Sequence, residues 1–134
     1  MVDAHRLQAS FGRVAGFGDE FPLYFYSHLF LSHPGTRTMF PASMAAQRDR
    51  LVAALLEIVA DVHRIERVVP MLQQLGRDHR KYGVTAEHYP LVGASLMAAL
   101  EHFLGDEWTA EHAVEWAAAY GIVADVMVRA AEEA

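Results

Sequence analysis

Hydrophobic residues recur every three or four positions along most of this chain, a spacing that indicates amphipathic α-helices. Strict alternation of apolar and polar residues, which is typical of half-buried strands, is scarce. The pattern predicts a first helix over about 3–16 that ends at Gly16. A second helix should begin after Asp19, its expected N-terminal cap, and stop before Pro34, with Pro22 tolerated in its first turn.

The apolar stripes that follow predict the rest of an all-helical chain. A short helical turn over PGTRTMF precedes longer helices over about 43–63, 66–83, 84–105 and 108–134. Gly83 suits a left-handed position at the end of its helix, and Thr109 suits an N-terminal cap. The last helix aligns five apolar positions, namely Ala113, Ala117, Tyr120, Val123 and Met127. Six or seven helices of unequal length, joined by short turns, favour crossed packing around a pocket over a regular bundle.

Composition narrows the class of protein. The 134 residues are 53% hydrophobic and 21% charged, which indicates one globular domain. A net charge of −6 argues against a nucleic-acid partner, because phosphate binding favours a basic surface. The absence of cysteine excludes disulfides, thiolate metal sites and cofactors attached through cysteine. No stretch is apolar enough to span a bilayer and the start is not typical of a secretion signal, so we expect a cytoplasmic protein.

One histidine lies on an otherwise apolar stripe. Val68, Leu72, Leu75 and His79 share one helical face, and His79 sits inside the segment LGRDHRKYG. Two interpretations are open. The imidazole is a core residue that bonds to the backbone, or it is a ligand to a metal or to haem iron, which needs one axial nitrogen from a helix beside the ring. The remaining candidate histidines are expected at the surface: His28, His33, His63, His88, His102 and His112.

Four segments in order around His79 carry a family resemblance. They are FYSHLFLSHPGTRTMF (25–40), AAQRDRL (45–51), LVGASL (91–96) and AYGIVADV (119–126). Through them the chain resembles the bacterial single-domain haemoglobins and the globin domain of flavohaemoglobins over nearly its whole length. The resemblance implies an all-α globin fold, a three-over-three helical sandwich around haem b, as one domain over 1–134 with no reductase domain.

The resemblance also assigns site residues. It makes His79 the proximal iron ligand and Tyr26 and Gln47 the groups that face a bound gas. A phenol O–H and an amide N–H are donors that can stabilise a partly negative ligand. Five further residues are expected to contact the cofactor: Phe40, Leu51, Leu55, Leu75 and Tyr89. Of these, Tyr89 would accept the second N–H of the proximal histidine.

The sequence departs from the family's pattern at the second acceptor for the proximal histidine. The family places a glutamate near the end of the last helix, and the matching position here is Ala131, followed by Glu132. One position rotates a side chain by about 100° around a helix. Whether Glu132 replaces the family's carboxylate is therefore open, and so is any strong electron push through the histidine.

The resemblance implies reversible binding of dioxygen and other diatomic gases, nitric oxide and carbon monoxide among them. It further implies nitric oxide dioxygenation, which would need a separate flavin-dependent reductase, because no GxGxxG or flavin-binding segment is present. A gas sensor that signals through a partner and a haem-free helical interaction module are the alternatives. Whether the chain forms a homodimer is left open.

Overall fold

The computed structural model describes residues 3–133, and within them the chain is helical without strands. The six α-helices are α1 (Ala4–Ala15), α2 (Glu20–Ser32), α3 (Ala45–Ala60), α4 (Val69–Lys81), α5 (His88–Leu104) and α6 (Ala110–Glu133). Short 3₁₀ segments cover Pro34–Met39, Val62–Arg67 and Gly105–Glu107. None of the helices in this part of the chain has the length and apolarity needed to cross a membrane. The prediction of an all-α protein is confirmed.

Several helix boundaries differ from the predicted ones. The chain between α3 and α4 leaves the α-helical path and forms a 3₁₀ segment with a non-helical residue, Arg64 (φ −136°, ψ 61°). Helix α5 begins at His88 rather than at 84. The reason is local, because the His88 Nδ1 accepts a hydrogen bond from the Thr85 N–H at 2.9 Å and so stabilises a turn in place of a further helical turn.

The ends of two helices confirm the expected caps. Gly83, the second residue after the end of α4 at Lys81, has a φ of +89°, in the left-handed region. Its N–H donates to the Arg80 carbonyl and the Val84 N–H donates to the His79 carbonyl, both at 3.0 Å, which is the Schellman arrangement. At the start of α6, the Thr109 hydroxyl accepts from the N–H of His112 at 3.3 Å.

The prediction that the Asp19 side chain caps α2 is wrong. Asp19 occupies the N-cap position, but its side chain makes no capping hydrogen bond. Its carboxylate instead accepts from the Arg48 Nε at 2.9 Å, which ties the start of α2 to α3. A charged partner from another helix forms a stronger hydrogen bond than a neutral backbone N–H, so it competes successfully for the carboxylate.

The apolar interior is divided into two cores. Helix α2 packs on α5, and α1 packs on both α3 and α5. These helices and the first half of α6 form the large core, which includes Leu7, Phe11, Val14, Phe21, Phe25, Tyr26, Leu29, Leu96, Leu100 and Trp116. Helix α4 packs chiefly on α6, and together they form the small core of Val68, Leu72 and Met127. Gly76 permits this approach, because a Cβ there would collide with the backbone of Met127.

The predicted stripe on α6 needs one correction. Ala117 is exposed, whereas the neighbouring Trp116 is buried (3% exposed) and donates from its indole N–H to the Ser10 Oγ at 3.1 Å. Helix α6 contacts α1 as well as α4 and α5, so one straight stripe does not describe its buried face. Burial of the large indole, with its N–H paired, takes precedence over burial of an alanine methyl.

Candidate functional site

His79 is held in a fixed orientation at the end of α4. Its Nδ1 lies 2.6 Å from the carbonyl oxygen of Leu75, one turn earlier in the same helix. Because a carbonyl only accepts, Nδ1 carries a hydrogen, and Nε2 is the ring nitrogen left to bind a ligand. The carbonyl of His79 itself accepts from the Tyr82 and Val84 N–H groups at 3.0 Å, so the backbone is fixed as well. The ring is therefore oriented before any ligand binds.

The stripe that carries His79 becomes more open toward the histidine. Val68 and Leu72 are 3% and 0% exposed, whereas Leu75 and His79 are only half-buried. An imidazole whose Nε2 is left to bind a ligand thus lies where an apolar face emerges from the small core. A ligand to a large apolar cofactor needs such surroundings, and the role of His79 as that ligand stays a prediction.

Tyr26 and Gln47 form a pair that joins α2 to α3. The Gln47 Nε2 donates to the Tyr26 hydroxyl oxygen at 3.0 Å. Tyr26 is 5% exposed, and burial raises the pKa of its phenol above the usual value of 10.0, although the hydrogen bond from Gln47 and the charge of Arg50 act in the opposite direction. The phenol therefore keeps its proton at neutral pH and remains a hydrogen-bond donor.

Aromatic rings surround the phenol. The rings of Phe30 and Phe40 lie 5.8 and 5.4 Å from the ring of Tyr26, and 5.4 Å from each other. Edge-to-face and offset contacts at these distances favour one arrangement of the three rings. Tyr26 thus presents its hydroxyl from a rigid apolar wall.

Arg37 positions this wall, a role that the sequence analysis missed. Its guanidinium donates to the carbonyls of Phe40 (3.3 Å), Pro41 (2.9 Å) and Ala42 (3.0 Å) and lies 5.2 Å from the centre of the Phe30 ring. It therefore holds the irregular chain after the 3₁₀ segment while it covers one ring of the wall. The signal in the sequence was the arginine three residues before Phe40 in a glycine- and proline-containing turn.

The other predicted contact residues divide between the two cores. Leu51 and Leu55 on α3 are half-buried against the large core, and Leu75 and Tyr89 are half-buried against the small core. Helix α3 packs on α1 and α2, whereas α4 packs chiefly on α6. Half-buried apolar side chains on helices with different packing partners are what a flat apolar cofactor between them would cover.

Tyr89 is placed near this region but not on the histidine. Among the described residues, the hydrogen-bond partner of the His79 ring is the Leu75 carbonyl, and the Tyr89 backbone carbonyl accepts from the Tyr120 hydroxyl at 2.6 Å. The ring of Tyr120 packs over Gly93, where a Cβ would lie 2.7 Å from its Cε2. Burial raises the pKa of Tyr89, and it raises the pKa of Tyr120 strongly. The role of Tyr89 as an acceptor stays a prediction.

The end of α6 leaves the question of the second acceptor open. Glu132 is exposed and Ala131 is half-buried. The carbonyl of Ala131 accepts from the Arg80 guanidinium at 2.5 Å, which binds α6 to α4 near the histidine. The replacement of the family's carboxylate by Glu132 stays untested.

The expectation of a surface position holds for His63 and His102, which are exposed, whereas His28, His33, His88 and His112 are half-buried. The Nδ1 of His28 lies 2.8 Å from the hydroxyl of Ser95, which is 1% exposed. The pair links α2 to α5 across the large core. His102 is exposed as expected, with its ring 4.2 Å from the Tyr24 ring in a stacked geometry.

The residues present fit a haem as the cofactor. One imidazole with a fixed Nδ1 supplies a single nitrogen donor, which suits an iron whose other ligands come from a porphyrin. In residues 3–133 no three His, Cys, Asp or Glu side chains cluster as they would around a bare metal ion. The half-buried leucines and Phe40 provide the apolar surroundings that the macrocycle needs.

Comparisons with known proteins identify the family. The globin family profile matches residues 23–127, so the chain belongs to the globin family. The chain is 33% identical over 107 residues to the flavohemoprotein of Bacillus subtilis (strain 168), a match that covers 78% of this chain and 27% of that protein. It thus spans less than a third of the length of the curated relatives that it matches. The predicted resemblance to flavohaemoglobins is confirmed.

Two solved structures share the fold. The bacterial globin of Campylobacter jejuni superposes with a TM-score of 0.86 at 22% identity, over 97% of this chain and 94% of that one. An engineered carbene transferase, made from a candidate nitric oxide dioxygenase of Rhodothermus marinus, gives 0.87 at 24% identity, over 97% and 91%. At these identities the likeness concerns the fold alone, and it confirms the predicted globin fold.

Proposed function

We propose that this globin binds haem b through His79 and binds dioxygen, nitric oxide and carbon monoxide reversibly. The observation that carries the proposal is the hydrogen bond from the His79 Nδ1 to the Leu75 carbonyl, which leaves Nε2, in a fixed orientation at the edge of an apolar face, as the nitrogen that can bind a ligand. The flavohemoprotein relatives support it, because their name denotes a haem protein.

The bound haem would supply an iron atom that binds a diatomic gas. His79 would hold the iron, while Phe40, Leu51 and Leu55 would exclude water from the gas. Tyr26 would donate its hydroxyl hydrogen to a ligand that carries partial negative charge. A neutral hydrogen bond of this kind stabilises the bound ligand by about 1 kcal/mol net. Because Tyr26 is buried, we expect a value above this average.

We further propose that the protein takes part in nitric oxide dioxygenation. The net reaction adds one dioxygen and one electron to each nitric oxide to give nitrate. We propose that a flavin-dependent reductase supplies the electron; the part of the flavohemoproteins that this chain matches is about a quarter of their length. In this reaction Tyr26 and Gln47 would hold dioxygen in place until nitric oxide arrives, so a slow release of dioxygen would favour the oxidation.

Absorption spectroscopy tests the first part of this proposal. The purified protein, titrated with hemin, should give a Soret band that saturates at one hemin per chain and shifts on reduction and on addition of carbon monoxide. A protein that shows no Soret band after hemin addition would not be a haem globin, and the haem-free interaction module would then be the better interpretation.

Nitrate formation tests the second part. The dioxygen-loaded protein should convert nitric oxide to nitrate within the mixing time, and repeatedly when a flavin-dependent reductase and a nicotinamide reductant are supplied. Reversible gas binding without nitrate would restrict the protein to a carrier or a sensor.

A further inference from the structure

The pair of Tyr26 and Gln47 extends to a third residue at the surface. The Arg50 Nη2 donates to the Gln47 Oε1 at 2.8 Å, while the Gln47 Nε2 donates to the Tyr26 oxygen at 3.0 Å. Gln47 and Arg50 are three residues apart on α3, so they lie on one face of the helix. The result is a chain of hydrogen bonds that runs from an exposed cation to a buried phenol.

Arg50 determines which end of the Gln47 amide faces Tyr26. A guanidinium has five N–H donors and no acceptor, so it can contact the amide only through Oε1. The amide nitrogen must then point toward Tyr26, and the phenol oxygen accepts its hydrogen. Without this constraint the amide could turn over, because the two ends of a glutamine differ little in shape.

The orientation of the amide decides what the phenol can do. When Gln47 donates, the Tyr26 oxygen is the acceptor and its own hydrogen is left for another partner. When the amide is reversed, its oxygen accepts the phenol hydrogen, and the phenol then has no hydrogen to offer a gas ligand.

We propose that Arg50 is a positioning residue for gas binding: its bond to Gln47 keeps the amide turned so that the Tyr26 hydroxyl hydrogen is directed to the ligand. This inference rests on the proposed function. Arg48, two residues earlier on α3, serves a different purpose, because it pairs with Asp19 at 2.9 Å and ties α3 to the start of α2. It therefore provides a matched control for the loss of a positive charge from the same helix.

The first experiment measures dioxygen dissociation by stopped flow in the haem-loaded protein. Arg50→Leu should release dioxygen about fivefold faster, with unchanged hemin stoichiometry, as expected for a weakened neutral hydrogen bond. Arg50→Lys, which keeps a cationic donor, should restore part of the difference, and Arg48→Gln should resemble the wild type. Equal rates in the wild type and in Arg50→Leu would overturn the inference.

A double-mutant cycle separates positioning from general electrostatics. If Arg50 acts through Gln47, Arg50→Leu should have no further effect on dioxygen dissociation when it is added to Gln47→Leu. A full fivefold effect in the Gln47→Leu background would show that Arg50 acts on the ligand directly, and this result would also overturn the inference.

Nuclear magnetic resonance provides a readout that does not need haem. The side-chain amide signals of Gln47 in the protein as purified should shift in Arg50→Leu and in Tyr26→Phe but not in Arg48→Gln. Unchanged signals in Arg50→Leu would overturn the inference. A wild-type protein that takes up no hemin, but whose Gln47 signals respond to Arg50→Leu, would instead refute the proposed function while it upholds the orientation of the amide by Arg50.

Discussion

The two sides of the candidate site, that of His79 and that of Tyr26, are built in different ways. On the histidine side, the ring of His79 is held by the Leu75 carbonyl four residues earlier, and its backbone by the cap at Gly83. These contacts belong to one helix and its end. On the other side, Tyr26 comes from α2 and Gln47 from α3, and these residues meet across 21 positions of sequence.

The difference separates two tasks. A ligand to iron must be oriented reliably, and a contact within one helix forms whenever the helix forms. A gas-binding side must be adjusted to one ligand, and a site assembled from several elements can be altered one side chain at a time. We therefore expect substitutions on the histidine side to affect cofactor retention and those on the tyrosine side to affect ligand rates.

The largest effect should come from His79→Ala. Removal of the imidazole takes away the only nitrogen donor that we assign to the iron, so hemin affinity should fall at least about 100-fold, beyond the losses seen when residues around a metal ligand are altered. Hemin titration followed by absorption measures this change, with far-ultraviolet circular dichroism to verify the fold.

His63→Ala is the matched control, because His63 is exposed in the segment Val62–Arg67. It should bind hemin as the wild type does. Hemin binding by His79→Ala with undiminished affinity would show that the iron ligand lies elsewhere.

The next largest effect should come from Gly76→Ala. The new Cβ would collide with the backbone of Met127, which cannot yield as a flexible side chain can. Helices α4 and α6 must then separate, and the free energy of unfolding should fall by about 3 kcal/mol, the upper part of the range for overpacking. Urea unfolding followed by circular dichroism provides the measurement.

Gly12→Ala on α1 is the control for this substitution, because a Cβ at Gly12 meets nothing within 4 Å. Alanine in an exposed helix should leave stability unchanged or raise it by up to about 1 kcal/mol. If the two variants unfolded at the same urea concentration, the close approach of α4 and α6 at Gly76 would not exist.

Tyr26→Phe should have a smaller effect, which concerns the rate of dioxygen dissociation rather than hemin binding. Loss of the hydroxyl removes a donor but leaves the ring contacts with Phe30 and Phe40, so the fold and hemin binding should persist. Dioxygen dissociation should become about tenfold faster, which corresponds to about 1.4 kcal/mol. Tyr24→Phe removes a hydroxyl from the same helix and should leave the rate unchanged. An unaltered rate in Tyr26→Phe would mean that its hydroxyl does not reach the ligand.

The smallest effect concerns alkaline stability. Burial raises the pKa of Tyr26, Tyr89 and Tyr120 above 10.0 in the folded protein. The unfolded chain therefore loses these protons first, and the free energy of unfolding should decline as pH rises above about 10. Tyr120→Phe should make this decline smaller. It should also lower the free energy of unfolding at neutral pH by about 1 kcal/mol, because the Tyr89 carbonyl loses its donor.

Urea unfolding of the wild type and of Tyr120→Phe between pH 7 and 11 measures the two changes. Equal stability of the wild type at pH 8 and pH 11 would contradict the account.

The sequence predicted the helix that carries His79, and the end of that helix, because the contacts that form them are local. Helical spacing placed His79 on the apolar stripe, and Gly83 marked the end of the helix. The same locality made the helical class and the number of helices predictable. The assignments of Tyr26 and Gln47 depended on family resemblance, since no spacing rule relates residues on two different helices.

Contacts between elements that are distant in sequence could not be predicted. Asp19 was expected to cap α2, since nothing in the local sequence shows that its partner is Arg48, 29 residues away. The partners of His28 and Trp116 are 67 and 106 residues away, so the burial of these two side chains depends on how the helices cross. The sequence analysis assigned no role to Arg37 or Arg50, because the carbonyl and amide groups that they contact are brought to them only by the fold.

The most direct test is a crystal structure of the protein loaded with haem. The account predicts that the His79 Nε2 is bonded to the iron while Nδ1 remains on the Leu75 carbonyl, with Tyr26 and Gln47 on the opposite face of the haem. A structure in which another residue binds the iron, or in which the His79 ring has turned so that Nδ1 leaves the carbonyl, would contradict it.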